Sequence, residues 1–105
     1  MNKQALIRAI ETTTSDIASQ NGWEIRVDEN LHQRCIDLRF SARIYFSRSA
    51  GRTEEILLDR VFSIQEREIA DSRNLDAISY FISWSCSHFE RDVCQRVNHH
   101  ALFGA

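Results

Sequence analysis

The sequence predicts an α+β domain: a helix, a three-stranded antiparallel meander and a long C-terminal helix, with both helices packed on one face of the sheet. Two patterns carry this prediction. Apolar and polar residues alternate without interruption from Ile36 to Phe46, which is typical of an antiparallel strand with one wet side. From Leu75 to Val97, apolar residues recur at steps of three and four, which indicates a helix that covers the sheet. These residues are Leu75, Ile78, Ile82, Cys86, Phe89, Val93 and Val97.

The first half of the chain predicts one helix and one short strand. A helix is expected from Asn2 to Gln20, and the pair Asn21-Gly22 is a stop signal. The strand should run from Trp23 to Val27 because apolar and charged residues alternate there. The turn to the next strand is expected at Asp28–Asn30. The stripe of the first helix is Leu6, Ile10, Thr13 and Ile17.

The third strand is expected from Glu54 to Phe62, with a turn before it in which Gly51 can take a positive φ. Its pattern is irregular because Arg60 falls on the apolar face while Leu57 and Val61 fall opposite. A bulge, or a strand half covered on both sides, would explain this. Ser63 and Glu66 form a potential capping box for a short helical turn over Ile64–Ala70, and Ser72 or Asn74 would cap the long helix.

Length and composition indicate one globular domain over residues 1–105. Hydrophobic residues make up 43% and charged residues 27%, and the formal charge of −2 argues against a strongly cationic nucleic-acid binder. With no leader-like or membrane-spanning apolar run, we expect a cytoplasmic protein without membrane contact. Three cysteines, Cys35, Cys86 and Cys94, are expected to be free thiols.

Catalytic chemistry finds little support in the sequence. Ser85, His88 and Asp92 have the residue types of a hydrolase, but three groups projecting from one helix do not converge as a triad must. Cys94 and the pair His99-His100 lack the ligand spacing of a zinc site. With three glycines there is no phosphate loop. We therefore expect a non-catalytic protein with no cofactor and no metal, and keep a small hydrolase as the weakest alternative.

An arginine-rich hairpin raises the alternative of nucleic-acid binding. A β-ribbon carrying arginine and an aromatic residue can follow a phosphate backbone. Cross-strand pairing with Glu24, Asp37 and Asp59 is the plainer explanation of these charges. The order of elements is also that of double-stranded-RNA-binding domains, but their lysine cluster at the second helix is absent from Ser72–Asp76. The residues of this alternative site are Arg39, Arg43, Tyr45, Arg48 and Arg52.

A second aromatic side of the long helix favours protein binding. Aromatic residues with arginine and histidine at their margin are typical of interfaces. Either the first helix covers them, or they contact a second copy or another protein. We expect a protein-binding homodimer of the kind found among accessory or inhibitory factors of phages, acting by covering a surface of a larger assembly. The expected partner-binding residues are Tyr80, Phe81, Trp84, His88 and Arg91.

Overall fold

The computed structural model describes residues 3–47, 51–69 and 75–103. It confirms the α+β prediction, with the three strands between an N-terminal and a C-terminal helix. A one-turn helix lies between the last strand and the long helix. The elements are α1 (Lys3–Asn21), β1 (Glu24–Asn30), β2 (Cys35–Ser47), β3 (Thr53–Gln65), α2 (Glu66–Ile69) and α3 (Leu75–Phe103).

The sheet is antiparallel with the order β1-β2-β3. The short strand β1 pairs only with the first half of β2, from Asn30↔Cys35 to Glu24↔Ser41. In contrast, β3 pairs with the whole of β2 in one constant register. The irregular pattern of β3 therefore involves no bulge. Leu57 and Val61 are exposed, so the face that carries them is open and the strand is not half covered on both sides. The strand also continues through Ile64 and Gln65, where a helical turn was expected.

The turn between β1 and β2 lies at residues 31–34, so the expected turn at Asp28–Asn30 was wrong. These three residues remain in β1 because they pair with β2. The Asn30 side chain accepts a hydrogen bond from the Gln33 amide at 3.0 Å, which shapes the loop. Arg34 has a positive φ of 53° within it. Gly51 has the positive φ expected of it, 71°, and Gly22, directly after α1, has a positive φ of 70°.

One hydrophobic core lies between the sheet and the two long helices, and Phe89 of α3 is at its centre. Phe89 is fully buried. Its ring centroid lies 5.0 Å from both Trp23 and Phe40, and Phe40 in turn meets Phe62 at 5.5 Å. Edge-to-face and tilted contacts of this kind add to the stabilisation from burial alone. The aromatic cluster thus joins α3 to the strands.

Helix α1 packs on the β1 side of the sheet. Its buried residues are Leu6, Ile10, Thr14 and Ala18. Thr14 and Ala18 are therefore buried where Thr13 and Ile17 were expected. The Thr14 hydroxyl donates to the Ile10 carbonyl at 2.8 Å, which satisfies the buried polar atom within the helix. At its beginning, the Lys3 ammonium pairs with carboxylates from two other elements, Glu29 and Glu66.

Helix α3 crosses β2 and β3 and continues past the expected end at Val97. It does so because the long β2–β3 hairpin supplies a surface beneath it. The Phe46 and His100 rings lie 3.9 Å apart, and His100 Nε2 lies 3.4 Å from a Glu54 carboxylate oxygen. The expected caps, Ser72 and Asn74, lie outside the described residues. No helix in the described part of the chain is long and apolar enough to cross a membrane.

Candidate functional site

An open groove of about 630 Å³ lies between the first turns of α3 and the end of β3. Both of these elements, and α2 as well, contribute to its mostly apolar lining. β3 ends at Gln65 and α3 begins at Leu75, so the groove lies between the last residues of the strand and the first turns of the long helix that follows it. The lining residues are Ser63, Ile64, Glu68, Asp76, Ala77, Tyr80, Phe81 and Trp84.

Tyr80 and Trp84 form the exposed wall of this groove. The side chain of Tyr80 is 70% exposed and that of Trp84 is 43% exposed, whereas Phe81 is only 8% exposed. Helix geometry explains the difference: Phe81 lies about 60° around the axis from Ile78, on the buried side, while Trp84 lies about 120° away. Phe81 therefore belongs to the core and forms the floor of the groove.

Trp84 is held in place by two neighbouring rings. Its ring centroid lies 4.1 Å from that of His88 and 5.6 Å from that of Phe62, the latter at an interplanar angle of 85°. These contacts fix the orientation of the indole although nearly half of the side chain is exposed. His88 thus supports the Trp84 ring and does not line the groove. Arg91 is exposed and does not line the groove either.

Helix α1 does not cover the aromatic side of α3. It lies over β1, and Tyr80 and Trp84 stay exposed. The alternative in which the first helix covers these residues is therefore wrong. An exposed Tyr and Trp beside a groove are typical of a contact surface, since their rings supply a large area with little conformational entropy to lose.

Four of the lining residues were not predicted as part of a site. Ser63 and Ile64 were assigned to a cap and a helical turn, and Glu68 and Asp76 were assigned no role. The short helix α2 is capped by Glu68, whose carboxylate accepts a hydrogen bond from the Gln65 amide at 3.2 Å. The cap expected from Ser63 and Glu66 is thus found two residues later, at Gln65 and Glu68, because β3 continues to Gln65.

The three residue types of a hydrolase are not assembled into a triad. In the described part of the chain, no hydrogen bond connects Ser85 with His88 or His88 with Asp92. Asp92 instead accepts a hydrogen bond from Arg60 at 2.9 Å. The Ser85 hydroxyl is fully buried, without a hydrogen-bond partner in the described structure. Its position is that of a core residue.

A buried polar cluster surrounds Asp37 on β2. Its carboxylate accepts hydrogen bonds from Ser63 Oγ at 2.6 Å and from Cys35 Sγ at 3.3 Å. Desolvation alone would raise the pKa of Asp37. Hydrogen bonds from Ser63, Cys35 and Asn30, together with the charge of Arg39, outweigh it and lower that pKa. Burial, followed by the hydrogen bond to Asp37, raises the pKa of the Cys35 thiol and so favours its protonated form.

The arginines expected to bind nucleic acid are engaged with carboxylates where the structure shows their contacts. Arg39 Nε lies 3.1 Å from an Asp28 oxygen, and Arg43 Nε lies 3.6 Å from a Glu55 oxygen. The ion-pair partners are thus Asp28 and Glu55, where Glu24, Asp37 and Asp59 were expected. The charge of Arg39 nevertheless acts on Asp37 as well. Tyr45 is 60% exposed on the same strand, Arg52 is exposed, and Arg48 lies outside the described residues.

Potential metal ligands are dispersed. In the described part of the chain, no three His, Cys, Asp or Glu residues come together in a way that could hold a metal ion. Cys35 is buried, Cys86 is half-buried and Cys94 is exposed, and all three are free thiols, as expected.

The fold and this surface together define a class: a two-layer α+β domain with an open aromatic groove beside an edge strand. Comparison with protein-family models, curated proteins and solved structures gave no match to this chain.

Proposed function

We propose that this chain is a small non-catalytic protein-binding module that uses the Tyr80–Trp84 wall and the groove beneath it. One observation carries the proposal: two large aromatic side chains stand exposed on a helix whose opposite side is buried in the core. Exposed aromatic groups beside an apolar groove mark protein contacts more often than isolated surface residues do. The role is that of an accessory or inhibitory factor which covers a surface of a larger assembly.

The mode of binding follows from how the wall is built. The ring of Trp84 is already held by His88 and Phe62, so little freedom is lost when a partner contacts it. Phe81 at the floor supports the same wall from the core. A pre-organised anchor of this kind is typical of the residues that contribute most to binding.

The test compares three aromatic substitutions, two on α3 and one on β2. Tyr80→Asp alters the proposed surface, and Tyr45→Asp is the matched control because that tyrosine is also exposed but lies on β2. In affinity capture from the organism that encodes the chain, we expect the bound protein to be lost with Tyr80→Asp and Trp84→Asp and retained with Tyr45→Asp. Loss of a central anchor weakens binding by roughly 30-fold, or about 2 kcal/mol.

Equal recovery of the same protein by all three variants would overturn this proposal. The expected homodimer is the case in which the partner is a second copy. Light scattering at micromolar concentration tests it directly. A dimeric mass that becomes monomeric with Trp84→Asp would identify the second copy as the occupant of the wall, and a monomeric mass for the unmodified chain would exclude it.

A further inference from the structure

The outer edge of β3 is an open strand edge next to the groove. Within the described residues, β3 pairs with β2 on one side and with no strand on the other. An open edge presents unpaired backbone N–H and C=O groups to which another extended segment can bind. Proteins commonly protect such edges with charged side chains.

Charge protects only one half of this edge. The stretch from Thr53 to Arg60 carries four charged residues, whereas Val61–Gln65 carries none. The uncharged half is also the half that lines the groove, through Ser63 and Ile64. The unprotected backbone and the apolar groove therefore coincide. The charged residues are Glu54, Glu55, Asp59 and Arg60.

The hydrogen bonds at the end of β3 show which amides face outward. The Glu66 amide donates across the sheet to the Arg34 carbonyl at 2.9 Å, whereas the Gln65 amide donates away from β2, to Glu68. Along an antiparallel strand these directions alternate from one residue to the next. The amides of Val61 and Ser63 therefore point to the open edge.

Charge at the groove indicates the composition of the occupant. The groove is lined by two carboxylates, those of Glu68 and Asp76, and none of its lining residues is basic. A segment that fits this site combines an apolar side chain for the groove with a lysine or arginine for the acidic margin.

A second copy of β3 fits the charged half of this edge poorly. The two-fold register that places Leu57 opposite Val61, the two exposed apolar residues of the strand, also places Asp59 opposite its own copy. Like charges directly opposite each other destabilise a strand pair.

We propose that an extended segment of a partner protein, with alternating apolar and basic residues, adds to the edge of β3 along Val61–Gln65 and inserts an apolar side chain between Tyr80 and Trp84. This inference rests on the proposed function and names the kind of partner that the same surface binds. Backbone hydrogen bonds supply much of the affinity in this mode, and the groove supplies the specificity.

The experiment is a selection of short random peptides displayed on a carrier against the unmodified protein, with removal of peptides that also bind Trp84→Asp. We expect the selected peptides to alternate apolar with Lys or Arg residues. On binding of the best synthetic peptide, the amides of Val61 and Ser63 should exchange with solvent at least about 10-fold more slowly. The amides of Phe62 and Ile64, which already face β2, are the internal control.

A pair of proline variants separates strand addition from other modes of binding. Val61→Pro removes an outward amide without loss of a hydrogen bond to β2, a position that sheets tolerate. Leu57→Pro removes an outward amide in the charged half and is the matched control. We expect at least about 10-fold weaker peptide binding with Val61→Pro and little change with Leu57→Pro, each variant being first shown to keep the melting behaviour of the unmodified protein.

Three results would overturn this inference while leaving the proposed function intact. One is a selected peptide that depends on Trp84 but leaves the β3 amides unchanged. Another is that the selected peptides are acidic, or that no selected peptide depends on Trp84 for binding. In either case, capture of a folded partner protein would still require Tyr80. The third is slowed exchange of the Val61 and Ser63 amides with rising protein concentration alone, which would assign the edge to a second copy.

Discussion

The Arg60 guanidinium donates a hydrogen bond to the Asp92 carboxylate at 2.9 Å and lies 5.2 Å from the centre of the Phe62 ring. This explains why Arg60 lies on the same face of β3 as Leu58 and Phe62. Arg60 stands at the margin of the core, where its planar head covers an aromatic ring and reaches the facing helix. The hydrogen bond occupies the Oδ2 atom of Asp92.

The Arg60–Asp92 pair should stabilise the fold by a small, salt-sensitive amount. The two side chains are 51% and 25% exposed, so solvent screens the interaction. In a double-mutant cycle with Arg60→Met and Asp92→Asn, we expect a coupling energy of about 0.5 kcal/mol that falls with added salt. The control is the longer and more exposed pair Arg43–Glu55, whose coupling should be near zero. Equal coupling in both pairs would contradict this account.

Phe89→Ala should be among the most destabilising single substitutions in the chain. The ring is fully buried and contacts both Trp23 and Phe40, so its removal leaves a cavity at the centre of the core. We expect the free energy of unfolding, measured by denaturant titration, to fall by about 3–5 kcal/mol. The same deletion at half-buried Phe46 is the control and should cost clearly less. Similar losses of unfolding free energy at both positions would contradict the placement of Phe89 at the centre of the core.

Ser85→Ala should leave the fold intact or stabilise it. The Ser85 hydroxyl is buried without a partner, and alanine is the better helix former, so a gain of up to about 1 kcal/mol is expected. Thr14→Ala is the contrasting variant: that hydroxyl is equally buried but is hydrogen-bonded, and its loss should cost about 1 kcal/mol.

The same Ser85 variant tests the hydrolase alternative. If the serine were a nucleophile, any ester hydrolysis by the chain would disappear in Ser85→Ala. We expect no difference in hydrolysis between the variant and the unmodified chain. A loss of stability above about 1 kcal/mol would instead show that the hydroxyl contributes to the fold.

Asp37 should make the fold sensitive to acid. Because its pKa is lower in the folded chain than in the unfolded chain, its stabilising contribution is fully present above the usual carboxyl range. That contribution is lost as the pH falls through the lowered pKa. Asp37→Asn should cost about 1–3 kcal/mol at neutral pH and flatten this part of the pH profile of unfolding free energy.

The control for Asp37 is a second serine–aspartate pair across the same two strands. Ser41 donates to Asp59 in an exposed setting, so Asp59→Asn should change the unfolding free energy by no more than about 0.5 kcal/mol. An unchanged acid profile in Asp37→Asn would show that the buried cluster does not carry this sensitivity.

Local patterns were sufficient to predict the order and type of the main elements. The strict alternation of Ile36–Phe46 and the helical spacing of Leu75–Val97 have different periods, and each period follows from backbone geometry alone. Boundaries were less predictable. Asp28–Asn30 resembles a turn, yet it stays in β1 because β2 offers a full set of pairing groups opposite it.

The candidate site could be predicted only in part. Tyr80 and Trp84 were predicted as contact residues because α3 has apolar residues on more of its circumference than one small sheet can cover. The division between buried Phe81 and exposed Trp84 depends on how α3 is rotated on the sheet. The hydrogen-bond partner of Arg60 depends on the same placement.

The sequence by itself determined that this chain is an α+β domain whose long helix is apolar on more than one side, because the spacing of apolar residues directly specifies the faces of helices and strands. Only the tertiary structure decided that the end of β3 meets the first turns of α3 to form a groove beside an open strand edge. That meeting depends on how α3 packs against the sheet. Contacts such as that of Phe89 with Phe40 of β2 join residues distant along the chain, and no local pattern encodes them.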